Sequence, residues 1–246
     1  MEPGMTTVRD NSRTQLVSFS GIDGAGKSTQ IDALCDKLRS EGLRVETVRF
    51  WDEIARLKNI RETTGHKVFK GDKGVGSPDA PIERRDKNVQ SWPMTCVRLF
   101  IYFVDAVSMR MAYKKALRSG ADLVIFDRYT YDELANLKLK NPLIRAYVHF
   151  IMSFVPRPQI SYFLDADPVK ARARKPEYPL DFLITNRQSY FALIDLIGKI
   201  SVISPGPIEE VKRAVLSLAQ SRLTFRAALP ASQGGIESRI NTVEPA

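Results

Sequence analysis

The run Gly21–Ser28 reads G-I-D-G-A-G-K-S and satisfies the pattern G-x-x-x-x-G-K-[ST] in full. Few short motifs constrain a fold so tightly. Its glycines let successive backbone N–H groups turn inward and cradle phosphate oxygens. Lys27 can set a positive charge against the β- and γ-phosphates of a nucleotide, and the Ser28 hydroxyl can ligate Mg²⁺. Such a loop needs a strand before it and a helix after it, and both are written in the chain. Leu16–Ser20 alternates as a short strand, while Ile31, Leu34, Cys35 and Leu38 recur at i, i+3, i+4 and i+7 on one helical face that Gly42 closes. The positive end of that helix points at the same anion.

The remaining chain alternates in the same way. Val45–Phe50 reads as a second strand and Asp52–Thr64 as a helix. Gly65–Asp86, dense in Gly, Pro, Lys and Asp, reads as a long loop. Trp92–Ser119 is a long helix started by Pro93 and ended at Gly120, and Leu123–Phe126 is a continuous apolar run of the kind found in central parallel strands. Helices follow at Tyr131–Leu139 and Pro142–Phe154, then a strand at Ile160–Leu164. Asp167-Pro168 has the form of a helix start, with a capping carboxylate and proline in the first turn. A helix at Arg187–Gly198, a strand at Ile200–Ile203 and a helix from Ile208 to Gln220 complete the pattern. The expected architecture is a three-layer α/β P-loop fold, a parallel sheet of about five strands with helices on both faces and ligands beyond the carboxyl ends of the strands. One domain spans 15–222 with a lid near 166–185, and 1–14 and 223–246 are expected to be disordered tails.

Composition narrows the partners. A net charge of +9 favours an anionic partner, such as nucleotide phosphate, nucleic acid or acidic lipid, or else a basic surface kept for solubility. Nucleic-acid binding rests on charge alone and is not expected. Cys35 and Cys96 show neither metal-ligand spacing nor a paired framework, which implies a reducing, cytoplasmic setting. His66 and His149 lack metal-ligand partners in sequence and read as structural. No signal peptide is visible, and the apolar runs Leu99–Val107 and Tyr147–Val155 fall short of the roughly 20 residues a membrane span requires. They read as core helices or a subunit interface.

Two further groups gather around the expected phosphate site. Asp127-Arg128-Tyr129 follows the apolar run directly. A carboxylate there can hold Mg²⁺ through water or orient an acceptor, and the arginine fork suits an acceptor phosphate. Arg172, Arg174 and Lys175, with Arg187 further on, form a basic segment that could close over phosphates and neutralise charge during transfer.

Taken together, Gly21–Gln30 (GIDGAGKSTQ), Val124–Tyr129 (VIFDRY), Asp167-Pro168 with Ala171 and Arg174, and Asp181-Phe182 with Arg187 and Tyr190 resemble thymidylate kinases in order and spacing. The resemblance runs from Val17 to Ile203. It implies a P-loop nucleoside monophosphate kinase fold, with ATP·Mg²⁺ phosphorylating dTMP. By position it implies that Lys27, Ser28 and Thr29 hold the donor phosphates and Mg²⁺, beside the loop glycines Gly21, Gly24 and Gly26, with Asp127 the further candidate for Mg²⁺ from its own place after the strand. Asp23 would face the acceptor sugar, Arg49, Asp127 and Arg128 the acceptor and its phosphate, and Arg174 and Arg187 would steer the transferring group from the lid. It also implies a homodimer formed through the long apolar helices.

The acceptor half departs from the family. Phe50-Trp51-Asp52 stands where Glu-Pro-Gly is usual after Arg49, Val104-Asp105-Ala106 lacks the family's arginine, and Tyr131–Leu137 replaces a Ser…Ala-Tyr-Gln run. Trp51 and Phe50 could stack on a base or serve as core at a strand end, the latter being favoured. The basic residues Lys67, Lys70, Lys73, Arg84, Arg85 and Lys87 read as a solvated loop. The expected activity is therefore transfer of the ATP γ-phosphoryl to a nucleoside monophosphate, dTMP first. A kinase with another small acceptor and an ATP-binding regulatory module remain alternatives.

Overall fold

The computed structural model describes residues 14–54 and 92–224. Most of the expected tails, most of the Asp52–Thr64 helix, the Gly65–Asp86 loop with His66, and its basic residues through Lys87 lie outside the described residues. Leu223 and Thr224, expected in the disordered tail, are instead held, Leu223 buried and the Thr224 backbone bonded to the Gln15 side chain. The chain forms β1 (Gln15–Ser20), α1 (Lys27–Ser40), β2 (Val45–Arg49) and a π-helical turn at Phe50–Ile54. Next come α2 (Trp92–Ser119), β3 (Leu123–Asp127), α3 (Tyr131–Leu134) and α4 (Pro142–Phe154). The series closes with β4 (Ile160–Leu164), α5 (Pro168–Arg174), α6 (Leu180–Ile197), β5 (Ser201–Ile203) and α7 (Ile208–Arg222).

The five strands form one sheet in the order β2-β3-β1-β4-β5, with every pairing parallel. The apolar runs of the central strands make this possible. Parallel strands covered by helices on both faces must be apolar on both, and successive side chains point to opposite faces. Leu123 and Ile125 of β3 therefore pack with Ile31, Leu34 and Leu38 of α1 and with Val215 and Ala219 of α7. Val124 and Phe126 face the other way, into a core with Ala106 and Met109 of α2, Ile144 and Val148 of α4, and Leu193 of α6. The result is the expected three-layer α/β fold.

Chain order reverses direction at β1, which lies between β3 and β4. The carboxyl ends of these three strands stand side by side, as open α/β sheets place their ligand crevices. One rung of the sheet aligns Arg49, Asp127, Phe19 and Tyr162 across four strands. Among the described residues, no helix is long and apolar enough to cross a membrane.

Two helix boundaries differ from the sequence expectation. The helix expected over Tyr131–Leu139 ends at Leu134. There Asn136 Nδ2 donates to the Asp132 carbonyl at 2.7 Å, and backbone bonds of the shorter i→i+3 type, such as Leu137 N to Leu134 O at 3.1 Å, turn the chain out of the helix. The helix expected from Arg187 begins instead at Leu180. Pro179 at its N-cap and Asp181 in its first turn are the start signals that went unread. Of the aromatic pair after β2, Phe50 is buried and Trp51 is 41% exposed, in edge contact with it. The core reading thus fits Phe50 and not Trp51.

Candidate active site

The loop after β1 is shaped by close approach. A Cβ on Gly21 would stand 2.5 Å from the Leu164 carbonyl oxygen, and one on Gly24 would stand 2.2 Å from that of Ala171 on α5. Both glycines hold positive φ, 148° and 82°. The loop is therefore wedged beneath α5, and only glycine fits at these two points. Helix α1 starts at Lys27 behind Gly26, with no side chain capping its first turn. The exposed Ser28 and Thr29 lie in that turn. Uncapped N–H groups and the positive end of the helix suit an anion.

Lys27 is buried, and its Nζ donates to the carbonyls of Gly21 at 2.8 Å and Ile22 at 3.0 Å. Burial, with the Arg128 charge nearby, pulls the ammonium pKa down to about 8, against the opposing pull of Asp23, Asp132 and Asp127. Buried carbonyl partners keep the amine at the loop.

Arg128, directly after β3, has φ 71°, a left-handed conformation that is uncommon outside glycine. Its backbone N–H donates to the Phe19 carbonyl at 3.0 Å, tying it to the end of β1. The guanidinium is forked. Nη2 pairs with Asp23 Oδ1 of the phosphate loop, and Nη1 bonds Asp132 Oδ1 at 3.2 Å. Burial opposes the Arg128 charge, but the two carboxylates outweigh it and raise the pKa further above its ordinary value. For Asp23, burial acts to raise the carboxyl pKa, but Arg128, Lys27 and Lys175 together hold it below the usual range.

Asp132 was not expected from sequence as a site residue. Both of its oxygens are engaged. Oδ2 accepts from Ser20 Oγ at 2.6 Å and Tyr129 N at 3.1 Å, and Oδ1 accepts from Tyr190 OH at 2.7 Å as well as from Arg128. The available signal was the acid at Asp-Arg-Tyr-Thr-Tyr-Asp, spaced to fold back on its own turn.

The structure therefore brings Lys27, Asp23, Arg128 and Asp132 into one charged cluster. Asp127 lies at the end of β3 in the rung that carries Arg49, itself exposed at the end of β2. Arg187 stands apart from the cluster's pairings. Its Nε and Nη2 donate to the two oxygens of Asp165 at 2.6 and 2.7 Å, and its guanidinium lies over Phe191. Arg174 is exposed at the end of α5, and Lys175 beyond it pairs with Glu177 at 3.3 Å. The region expected as a lid consists of α5, a connection and the first turn of α6. Asp167 caps α5 as expected, its Oδ1 accepting from Lys170 N at 2.9 Å. His149 is exposed, and no cluster of three or more His, Cys, Asp or Glu suited to a metal occurs among the described residues. Mg²⁺ in kinases takes only one or two carboxylates and completes its shell with water and substrate phosphates, so Ser28 and Asp127 suffice chemically.

The sheet, the phosphate loop and the Asp-Arg-Tyr turn together define a P-loop α/β protein. No family model matches the chain. It is 26% identical over 218 residues to a probable thymidylate kinase of Archaeoglobus fulgidus, covering 86% of this chain and 97% of the relative. To a probable thymidylate kinase of Pyrobaculum aerophilum it is 29% identical over 222 residues, covering 86% and 99%. Among solved structures, thymidylate kinase of Candida albicans superposes with a TM-score of 0.55 at 17% identity over 85% of this chain and 92% of that one. That of Ehrlichia chaffeensis gives 0.53 at 19% over 84% and 99%. The chain is thus similar to thymidylate kinases over most of its length and shares their fold.

Proposed function

We propose that the protein is an ATP-dependent nucleoside monophosphate kinase, with dTMP the first candidate acceptor. The observation that carries this reading is the cluster in which Lys27 of the phosphate loop and Arg128 of the strand-end turn share Asp23 as an electrostatic partner. A binder of ATP alone needs the first cation. A transferase also needs the second, to bring an acceptor phosphate up to the γ-phosphate.

In this reading the backbone N–H groups from Gly21 to Thr29 and the Lys27 ammonium hold the donor phosphates. Ser28 and Asp127 would hold Mg²⁺, which when bound neutralises phosphate charge. Arg128 grips the acceptor phosphate and Arg49 lies alongside, while Asp23 receives a sugar hydroxyl. An ionised oxygen of the acceptor phosphate attacks the γ-phosphorus, the bond to the bridging oxygen breaks, and ADP departs. The attacking oxygen carries no proton, so no general base is needed. Arg174 from α5 and Arg187, once released from Asp165, would meet the transferring group. Catalysis is then positioning and charge neutralisation.

The test is Mg·ATP-dependent ADP release with a panel of nucleoside monophosphates, using Lys27→Ala as the blank. Strong stimulation by dTMP alone supports the full reading. ATP binding without stimulation by any nucleotide refutes it. A second reading, a kinase with another acceptor, is favoured by Trp51 and Asp132, which stand where the family carries other residues; stimulation by a different member of the panel would select it. We further propose a cytoplasmic homodimer, supported by the exposed Phe100, Leu143 and Phe150 on α2 and α4.

A further inference from the structure

We propose that Asp132 is a positioning residue of the acceptor site, pinning one arm of the Arg128 guanidinium so that the other arm can exchange between Asp23 and an acceptor phosphate. This inference rests on the kinase reading above.

Arg128 leaves the sheet with left-handed backbone at φ 71°, so its side chain departs in a direction that a regular strand end would not give. Something must hold it there. Asp132 is suited to do so because it is itself held from three directions. Ser20 at the end of β1, the Tyr129 N–H of the strand-end turn, and Tyr190 of α6 each donate to it. Tyr190 stays a hydrogen-bond donor because burial and the Asp132 charge hold its hydroxyl pKa well above ordinary. Its ring packs on Phe163 of β4 with centroids 4.9 Å apart, which carries the restraint into the sheet.

The two carboxylates on Arg128 are not equivalent. The Asp132 side chain is 4% exposed and accepts four hydrogen bonds, whereas that of Asp23 is 16% exposed on a loop between glycines. Charge counting gives the consequence. The Lys27 and Arg128 charges are balanced by Asp23 and Asp132, so a phosphate dianion gains an uncompensated cation only when one of the pairs on Arg128 opens. One pair must open, and the less restrained Asp23 is the one able to leave. Released, it faces the acceptor, where a sugar hydroxyl can take the place of the arginine.

The test uses the full chain and two variants. Asp132→Asn keeps the shape and removes the charge. Tyr190→Phe keeps the ring and removes one donor to the oxygen that binds Arg128. For Asp132→Asn the acceptor KM should rise about tenfold or more while the ATP KM stays within about twofold, and Tyr190→Phe should show about a threefold rise in the same direction. The crystal structure of ligand-free Asp132→Asn should show the guanidinium displaced from its present place; for a variant that does not fold, the same measurement is made on Tyr190→Phe. An unmoved guanidinium, or equal changes in both KM values, overturns the proposal. If the wild type turns over no nucleoside monophosphate, the kinase reading falls, and guanidinium displacement in the crystal still decides whether Asp132 positions Arg128.

Discussion

The depressed pKa of Lys27 makes a prediction at the scale of one residue. Burial pulls the folded, ligand-free ammonium down to about 8 from its ordinary value of 10.5. Phosphate binding favours the charged amine, so above pH 8 binding must be accompanied by proton uptake. ATP affinity should therefore weaken about tenfold between pH 7 and pH 9, and Lys27→Arg should flatten this dependence in calorimetric titrations. Stability has the matching sign. Between the folded and unfolded pKa values the unfolded chain holds more protons, so the ligand-free protein gains stability as pH rises from 8 towards 10.5, and below 8 the full penalty remains. Gly24 offers a second test. In Gly24→Ala the new Cβ meets the Ala171 carbonyl, a backbone atom that cannot swing aside, at a φ of 82°. The left-handed conformation alone costs about 1–2 kcal/mol. Melting should move down by about 2–4 °C for each kcal/mol, with ATP no longer raising it. Arg128→Ala should weaken acceptor binding more than ATP binding, and equal losses in parallel titrations would remove its acceptor role.

At the scale of elements, α5 is the piece that joins the glycine loop to the proposed lid. Its residue Ala171 roofs Gly24, and its only side-chain cap is Asp167. Losing such a cap costs about 1 kcal/mol. In Asp167→Ala, backbone amides of 169–174 should exchange with solvent faster while those of β1 and β3 do not, as followed by hydrogen exchange. Elements were legible in the sequence wherever one signal dominated. The Trp92–Ser119 helix lies where its pattern put it, and the β3 run and the α5 cap behave as written. The start of α6 was missed because Lys175–Leu180 is rich in lid-like charge and proline, and the helix start at Pro179 was absorbed into that reading.

The whole molecule carries an apolar face across α2 and α4. Phe103 stacks on Phe150, Tyr147 OH donates to the Leu99 carbonyl at 2.6 Å, and Arg110 donates to the Phe154 carbonyl at 2.7 Å, so the two helices present one surface. Phe100 and Leu143 remain 65% and 68% exposed. Apolar side chains this exposed, gathered on neighbouring helices, suit an interface. Sedimentation should give a mass near twice the chain's 27.7 kDa, and Phe100→Glu should return it to one chain.

The sequence by itself determined the layered parallel fold, the phosphate loop and the strand-end Asp-Arg-Tyr turn. These follow from local rules, namely period, capping and the geometry that glycine alone permits. It also brought Lys27, Ser28, Asp127 and Arg128 to adjacent strand ends, because strand–helix alternation leaves few other topologies. Only the tertiary structure decided who holds whom. That Arg128 is forked between Asp23 and Asp132, that Tyr190 of a distant helix steadies Asp132, and that Asp165 occupies Arg187 all depend on packing between elements far apart in the chain. A charged side chain's partner is set by which elements meet around it, and that information lies in the assembled core rather than in any window of sequence.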